Sequence, residues 1–166
     1  MNGDAPVVPV EVAKEQVRQM GMMMASLYRH LAQSIVDEIG EERGKEVISR
    51  AIENYGSERG EKQRQRVLAA GHAHEPQNYG KLPDLPSFGW DVEGVNGEDP
   101  THIRITYCPF AAEWRDHGFE KLGRLYCAID QAKYEAFHPD SDLVHLKNVL
   151  DGDRFCEIRC QRKDIP

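Results

Sequence analysis

Between Val10 and Ile39 the apolar residues Val17, Met20, Met24, Leu27, Leu31, Ile35 and Ile39 recur at intervals of three or four. That is the period of one helix face, not of a strand. Met22, Met23 and Tyr28 widen the stripe, and Gly40 is the residue type that commonly closes a helix. Glu41 and Glu42 then suit the positive end of a second helix carrying Val47, Ile48, Ala51, Ile52 and Tyr55. Gly56 and Gly60 are expected to interrupt this helix before Val67 to Ala70. The stripe is expected to be packing surface, with the Met22–Met24 run as adaptable core filler. It is also wide enough for a homo-oligomer formed through the N-terminal helices, and spacing alone does not separate core from interface.

The pattern changes after residue 70. Gly71 to Ser87 contains three prolines and reads as a solvated loop; two histidines there, His72 and His74, fall short of a metal's usual three or four ligands. Trp90 to Val95 and His102 to Tyr107 read as a hairpin turned at Asn96-Gly97. Helices are expected from Phe110 through Glu120 and from Lys121 to Phe137, ended by His138-Pro139-Asp140. A last pair of strands, Leu143 to Leu150 and Arg154 to Gln161, is joined by Asp151-Gly152-Asp153. The fold expected is α+β, one domain spanning 1–166. A helical pair (10–70) packs with a small antiparallel sheet of hairpins and two intervening helices (88–161).

Composition narrows the function. A net charge of −7 argues against a nucleic-acid partner, which would need a cationic face. The longest apolar stretch, near Met20 to Leu27, is far shorter than the ~20 residues of a membrane span, and nothing at the N-terminus resembles a secretion signal. Cysteines at 108, 127, 156 and 160 are separated by 18, 28 and 3 residues, which matches neither a zinc ribbon nor a redox pair. A cytoplasmic protein with reduced thiols and a small-molecule substrate is the expectation.

There is no nucleophile elbow, phosphate loop or zinc-protease motif, so Cys, Asp and His are the candidate reactive groups. Cys108 follows a strand and precedes a helix that begins near Phe110. A thiol there feels the positive end of the helix dipole, which favours the thiolate; the competing reading is a small buried hydrophobe. Cys127 and Asp130 lie three apart on one helix face, so the carboxylate could orient a base, take a proton or hold a substrate amine. Tyr126 and Tyr134 sit on neighbouring faces and could line a pocket. Cys156, Ile158 and Cys160 alternate along the last strand and share a face; if that face is the core, Cys156 lies inside with Cys108.

These residues carry a resemblance. Tyr107-Cys108-Pro109, Trp114, Gly118, Tyr126-Cys127, Asp130, Pro139, Leu150, Gly152-Asp153 and Cys156, in this order, resemble the signature of the L-2-amino-thiazoline-4-carboxylic acid hydrolase family. Glu38-Ile39-Gly40 and Tyr55-Gly56-x-x-Arg59-Gly60 are similar to it less specifically; Cys160, His72 and His74 lie outside it. The resemblance covers roughly Leu27 to Cys160.

It implies hydrolytic opening of a 2-aminothiazoline ring, with Cys108, Asp130, Cys127 and Cys156 as catalytic candidates. Tyr107, Trp114, Tyr126 and Tyr134 are candidates for substrate contact. Two routes stay open: a Cys108 thiolate attacks the ring carbon between sulfur and nitrogen, or cysteines and a histidine hold Zn²⁺ or Fe²⁺ that activates water. Either Arg104 or Arg124 would hold the substrate carboxylate. The alternative of another class is a non-catalytic sensor or carrier that binds a small ligand or metal through the same cysteines.

Overall fold

The structure, a computed structural model, describes residues 7–163 apart from 83, 86 and 98. Helix α1 (Val10–Ile39) runs to Gly40, whose φ of 84° turns the chain and whose N–H donates to the Val36 carbonyl at 2.9 Å. Among the described residues no helix is long and apolar enough to cross a membrane.

The face of α1 that is buried differs from the expected stripe. Gly21, Ala25 and Ala32 are buried, with Tyr28, Ile35 and Val36 packed beside them, while Met20, Leu27 and Leu31 are 58%, 61% and 57% exposed. Small residues win because they let another backbone come close. A Cβ on Gly21 would stand 2.9 Å from the Pro109 ring, so larger side chains on that ridge would push the next layer away. Met23 and Met24 are likewise exposed rather than core filler.

Helix α2 (Glu41–Ala69) is unbroken through Gly56 and Gly60. Both glycines are buried against a later helix, α5 (Ala128–Phe137). A Cβ on Gly56 would lie 2.7 Å from Ala132 Cβ and 2.8 Å from the Ile129 carbonyl oxygen, and one on Gly60 would strike the Lys133 carbonyl. Each glycine costs the helix about 1 kcal/mol in propensity, and tertiary contact outweighs that. The glycines are points of close approach, not interruptions.

After the strands β1 (Asp91–Asn96) and β2 (Asp99–Tyr107) come three helices where two were expected: α3 (Pro109–Asp116), α4 (Glu120–Tyr126) and α5. Gly118, at φ 62°, turns the chain after α3. The break between α4 and α5 falls on Cys127. Its N–H donates to the Arg124 carbonyl at 3.1 Å and its carbonyl accepts from Asp130 N–H at 3.3 Å, a local tightening to three-residue steps.

Strands β3 (Ser141–Lys147) and β4 (Cys156–Arg162) complete a four-stranded sheet ordered β1-β2-β4-β3, with every pairing antiparallel. Ile105 faces Cys156 and Ile103 faces Ile158 across β2 and β4, and Cys156 and Ile158 are buried, so that face is inward. The link from β3 to β4 carries a 3₁₀ turn, Val149–Asp151, and then Gly152 at φ 98°. The sheet and the helical pair sandwich α3–α5. Trp114, 1% exposed, sits at the centre and donates its indole N–H to the Ala25 carbonyl at 3.0 Å.

The loop after α2 is more ordered than a solvated segment. His74 is partly buried, meets the Phe137 carbonyl through Nε2, and lies against His138 at 4.8 Å between ring centroids. Gln63, buried on α2, donates to the Tyr79 carbonyl at 2.8 Å and ties the loop down.

Candidate active site

Cys108 lies within electrostatic reach of both Cys127 and Cys156. Cys108 closes β2 and precedes α3, Cys127 joins α4 to α5, and Cys156 opens β4. Charge on Cys108 would be felt by Cys127, and charge on Cys156 by Cys108. Cys160 instead adjoins Tyr79 and Tyr134, whose rings stack at 4.0 Å.

Cys108 does not titrate as its helix position suggests. Burial pushes the thiol up and outweighs the Ala111 and Phe110 amides and the Trp90 side chain, which favour the thiolate. The dipole acts on the sulfur, but the surrounding hydrophobic residues withhold the solvent an anion needs. Burial likewise raises Cys156, against the Val149 N–H that reaches its Sγ at 3.5 Å. Cys127 is pushed up to about 12, chiefly by burial, although Asn148 Nδ2 donates to its Sγ at 3.5 Å. All three are resting thiols.

Asp130 stands in the first turn of α5, paired with Lys133 at 2.9 Å. Burial works against its charge, but Lys133, His145 and Arg59 hold the carboxyl below its usual range, so it is ionised. His145 was not among the sequence candidates. Burial pulls its pKa down against the pull of Asp130, leaving a neutral imidazole, and its Nδ1 lies 3.5 Å from Asn148 Nδ2. Arg124 sits close enough to favour the anions of both Cys127 and Cys156 and pairs with Asp151 at 2.8 Å. Arg104 is elsewhere: its guanidinium lies over the Phe155 ring at 4.1 Å and faces Glu157.

An apolar cavity of about 350 Å³ is lined in part by Val17, Met20, Tyr55, Trp90 and Phe110, with Arg59 as its cationic wall. A smaller chamber of about 110 Å³ continues inward to Trp114. Tyr126 lines both and is the neighbour of Cys127 in sequence, while no cysteine lines either space. Of the aromatic candidates, Tyr126 and Trp114 therefore reach the cavity. Tyr134 stacks away from it, and Tyr107 lies under the Arg18 guanidinium at 4.2 Å.

The cysteines also fail as a metal centre in this arrangement. Among the described residues no three His, Cys, Asp or Glu side chains stand close enough together to hold an ion. Around the thiols, amides and Arg124 favour an anion while Asp130 opposes one.

The fold is that of an α+β protein, in which three mostly buried thiols lie near Arg124 and Asp130 or near one another. A profile of the family described as L-2-amino-thiazoline-4-carboxylic acid hydrolase matches residues 18–160, from the third turn of α1 to β4. The chain belongs to that family. Neither the curated proteins nor the solved structures compared with it include a match.

Proposed function

We propose that this protein hydrolyses a small sulfur- and nitrogen-containing heterocycle of the L-2-amino-thiazoline-4-carboxylate kind, using a thiol of the Cys108–Cys127–Cys156 cluster. The observation that carries this reading is that Arg124 and Asp130 act on both Cys127 and Cys156, and Cys108 on Cys127, in a chain whose family is named for that hydrolysis. Arg124, beside two of the sulfurs, is the carboxylate partner; Arg104 lies on another face. Asp130, already ionised against Lys133, is an anchor for the substrate's amino group rather than a resting proton donor.

The attacking sulfur bonds to the ring carbon that carries the amino group, and the bond from that carbon to the ring sulfur breaks. The departing sulfur keeps the electron pair, because a thiolate leaves more readily than an amide nitrogen, and takes up the proton given up by the attacking thiol. Water then adds at the same carbon and expels the enzyme sulfur, leaving an N-carbamoyl amino acid thiol. A covalent route divides one difficult hydrolysis into two easier steps.

The setting is the cytoplasm, where thiols stay reduced. The exposed spacing of Met20, Met24, Leu27 and Leu31 supports pairing with a second copy, since steps of four, three and four form a coiled-coil seam. The test of function is ring opening by the purified protein, with Cys108→Ser, Cys127→Ser and Cys156→Ser alongside. Turnover that disappears in one variant, with a trapped adduct on that cysteine, supports the reading. Stoichiometric binding without turnover would replace it with a sensor or carrier.

A further inference from the structure

Asn148 is 1% exposed, and its side chain is fixed from several directions. Its Oδ1 accepts the Leu150 N–H at 2.9 Å, and its own backbone N–H donates to Asp153 Oδ2 at 2.8 Å. With the oxygen engaged, the Nδ2 end can point only one way. It reaches Cys127 Sγ at 3.5 Å and His145 Nδ1 at 3.5 Å. An amide nitrogen has two hydrogens and no acceptor capacity, so it donates to both and His145 Nδ1 receives as a neutral ring. Cys127 thus has a pinned side-chain donor, where Cys156 has the Val149 N–H at 3.5 Å and Cys108 the Ala111 and Phe110 amides. The 3₁₀ turn needs only the Oδ1 contact, not the Nδ2 end.

We propose that Asn148 is a positioning residue for Cys127, donating an N–H that stabilises the Cys127 thiolate while His145 holds the amide in register. The proposal rests on the hydrolase reading for its substrate, but not for its test. An N–H aimed at sulfur is worth more once the sulfur is charged, since hydrogen bonds to ionised groups are stronger than neutral ones. It therefore acts on the anion and the attacking state more than on the resting thiol.

The experiment is residue-resolved alkylation of the full-length protein by iodoacetamide at one mildly alkaline pH, followed by peptide mass spectrometry. Rates are read separately for Cys127, Cys108 and Cys156. Asn148→Asp keeps an oxygen for Leu150 N–H and removes the donor; Asn148→Ala removes the donor without adding charge. In both, Cys127 alkylation falls by about tenfold, equivalent to about one unit of thiol pKa. The Cys108 and Cys156 rates stay within about twofold of wild type by the same measure. A Cys127 rate unchanged in Asn148→Asp overturns the proposal, as does a common rise of all three rates in both variants, which would mark a purely structural cap. If ring opening is observed, Asn148→Asp lowers kcat more than it changes KM. If no turnover exists in the wild type, the function falls, while the alkylation result still decides the role of Asn148.

Discussion

Replacing Gly56 by alanine sets local propensity against packing, with opposite signs. Within an isolated helix the change adds about 1 kcal/mol of stability. In this fold the new methyl meets Ala132 Cβ at 2.7 Å and the Ile129 carbonyl oxygen at 2.8 Å, where ordinary contact begins near 3.4 Å. One of the two contacts is backbone, so no rotamer change relieves it, and α5 must move by more than half an ångström. Overpacking of this kind costs about 1–3 kcal/mol. The net is a loss of up to roughly 2 kcal/mol, which lowers Tm by up to about 8 °C in a chain of this size. Thermal and urea unfolding measure it, with exposed Asn54→Ala on the same helix as the control, expected to gain up to about 0.5 kcal/mol from propensity alone. A Tm for Gly56→Ala that rises as the control does would refute the α2–α5 contact and the placement of Asp130 and Lys133 that depends on it.

Lys133→Met leaves the Asp130 carboxylate without its 2.9 Å partner; a loss of about 2–3 kcal/mol near neutral pH is expected from urea unfolding, less than for a fully buried pair because Asp130 keeps some solvent. The folded pKa of Asp130 is depressed, so its contribution is present above the unfolded value of about 3.9 and is lost as pH falls below that; the variant flattens this acid limb. His145 also has a depressed folded pKa, with Asp130 and Asp151 opposing burial and Arg124 reinforcing it. Stability therefore declines as pH falls below about 6.5, because the unfolded chain takes up that proton first; His145→Gln removes this slope in pH-dependent unfolding. Leu27→Glu together with Leu31→Glu, on the exposed face of α1, abolishes concentration-dependent association in sedimentation, with Tm measured at low concentration unchanged.

Much of the fold was legible because period and punctuation were strong. The interval of three to four residues and Gly40 located α1, and Asp151-Gly152-Asp153 marked the link between the last two strands. Period, however, identifies a face and not what lies against it. Met20, Met24, Leu27 and Leu31 satisfied the helical stripe, yet Gly21, Ala25 and Ala32 were buried, since close approach selects small residues. The same effect concealed Gly56 and Gly60, which resemble breakers in one dimension and are contact points in three. At the site, Cys108, Cys127, Asp130 and Cys156 were marked by residue type and order. His145 left a weaker signal: counting by two from buried Ser141 and Leu143 puts it on the inward face of β3. Asn148 left almost none, because its role comes from a 3₁₀ turn that no period announces.

The charge balance around the thiols ties these observations together. Burial raises Cys108, Cys127 and Cys156 alike, so a single thiolate-favouring helix end does not distinguish Cys108 from the others. Each sulfur also has an N–H donor: Ala111, Phe110 and Trp90 at Cys108, Val149 at Cys156, and a side chain pinned on its far side at Cys127. Asn148 gives Cys127 such a donor, Arg124 adds a cation to Cys127 and Cys156, and Asp130 opposes an anion there unless a bound cationic group neutralises it. A protonated amidine in the substrate ring would do so. On the proposed reading, the thiol stays protonated and unreactive until such a substrate offsets Asp130, and the thiolate forms where the ring carbon is already in reach. Neutralising Asp130 by Asp130→Asn should then speed alkylation of Cys127 in the empty protein while slowing ring opening. If both rates fall together, Asp130 does not restrain the thiol, and substrate-triggered ionisation is wrong.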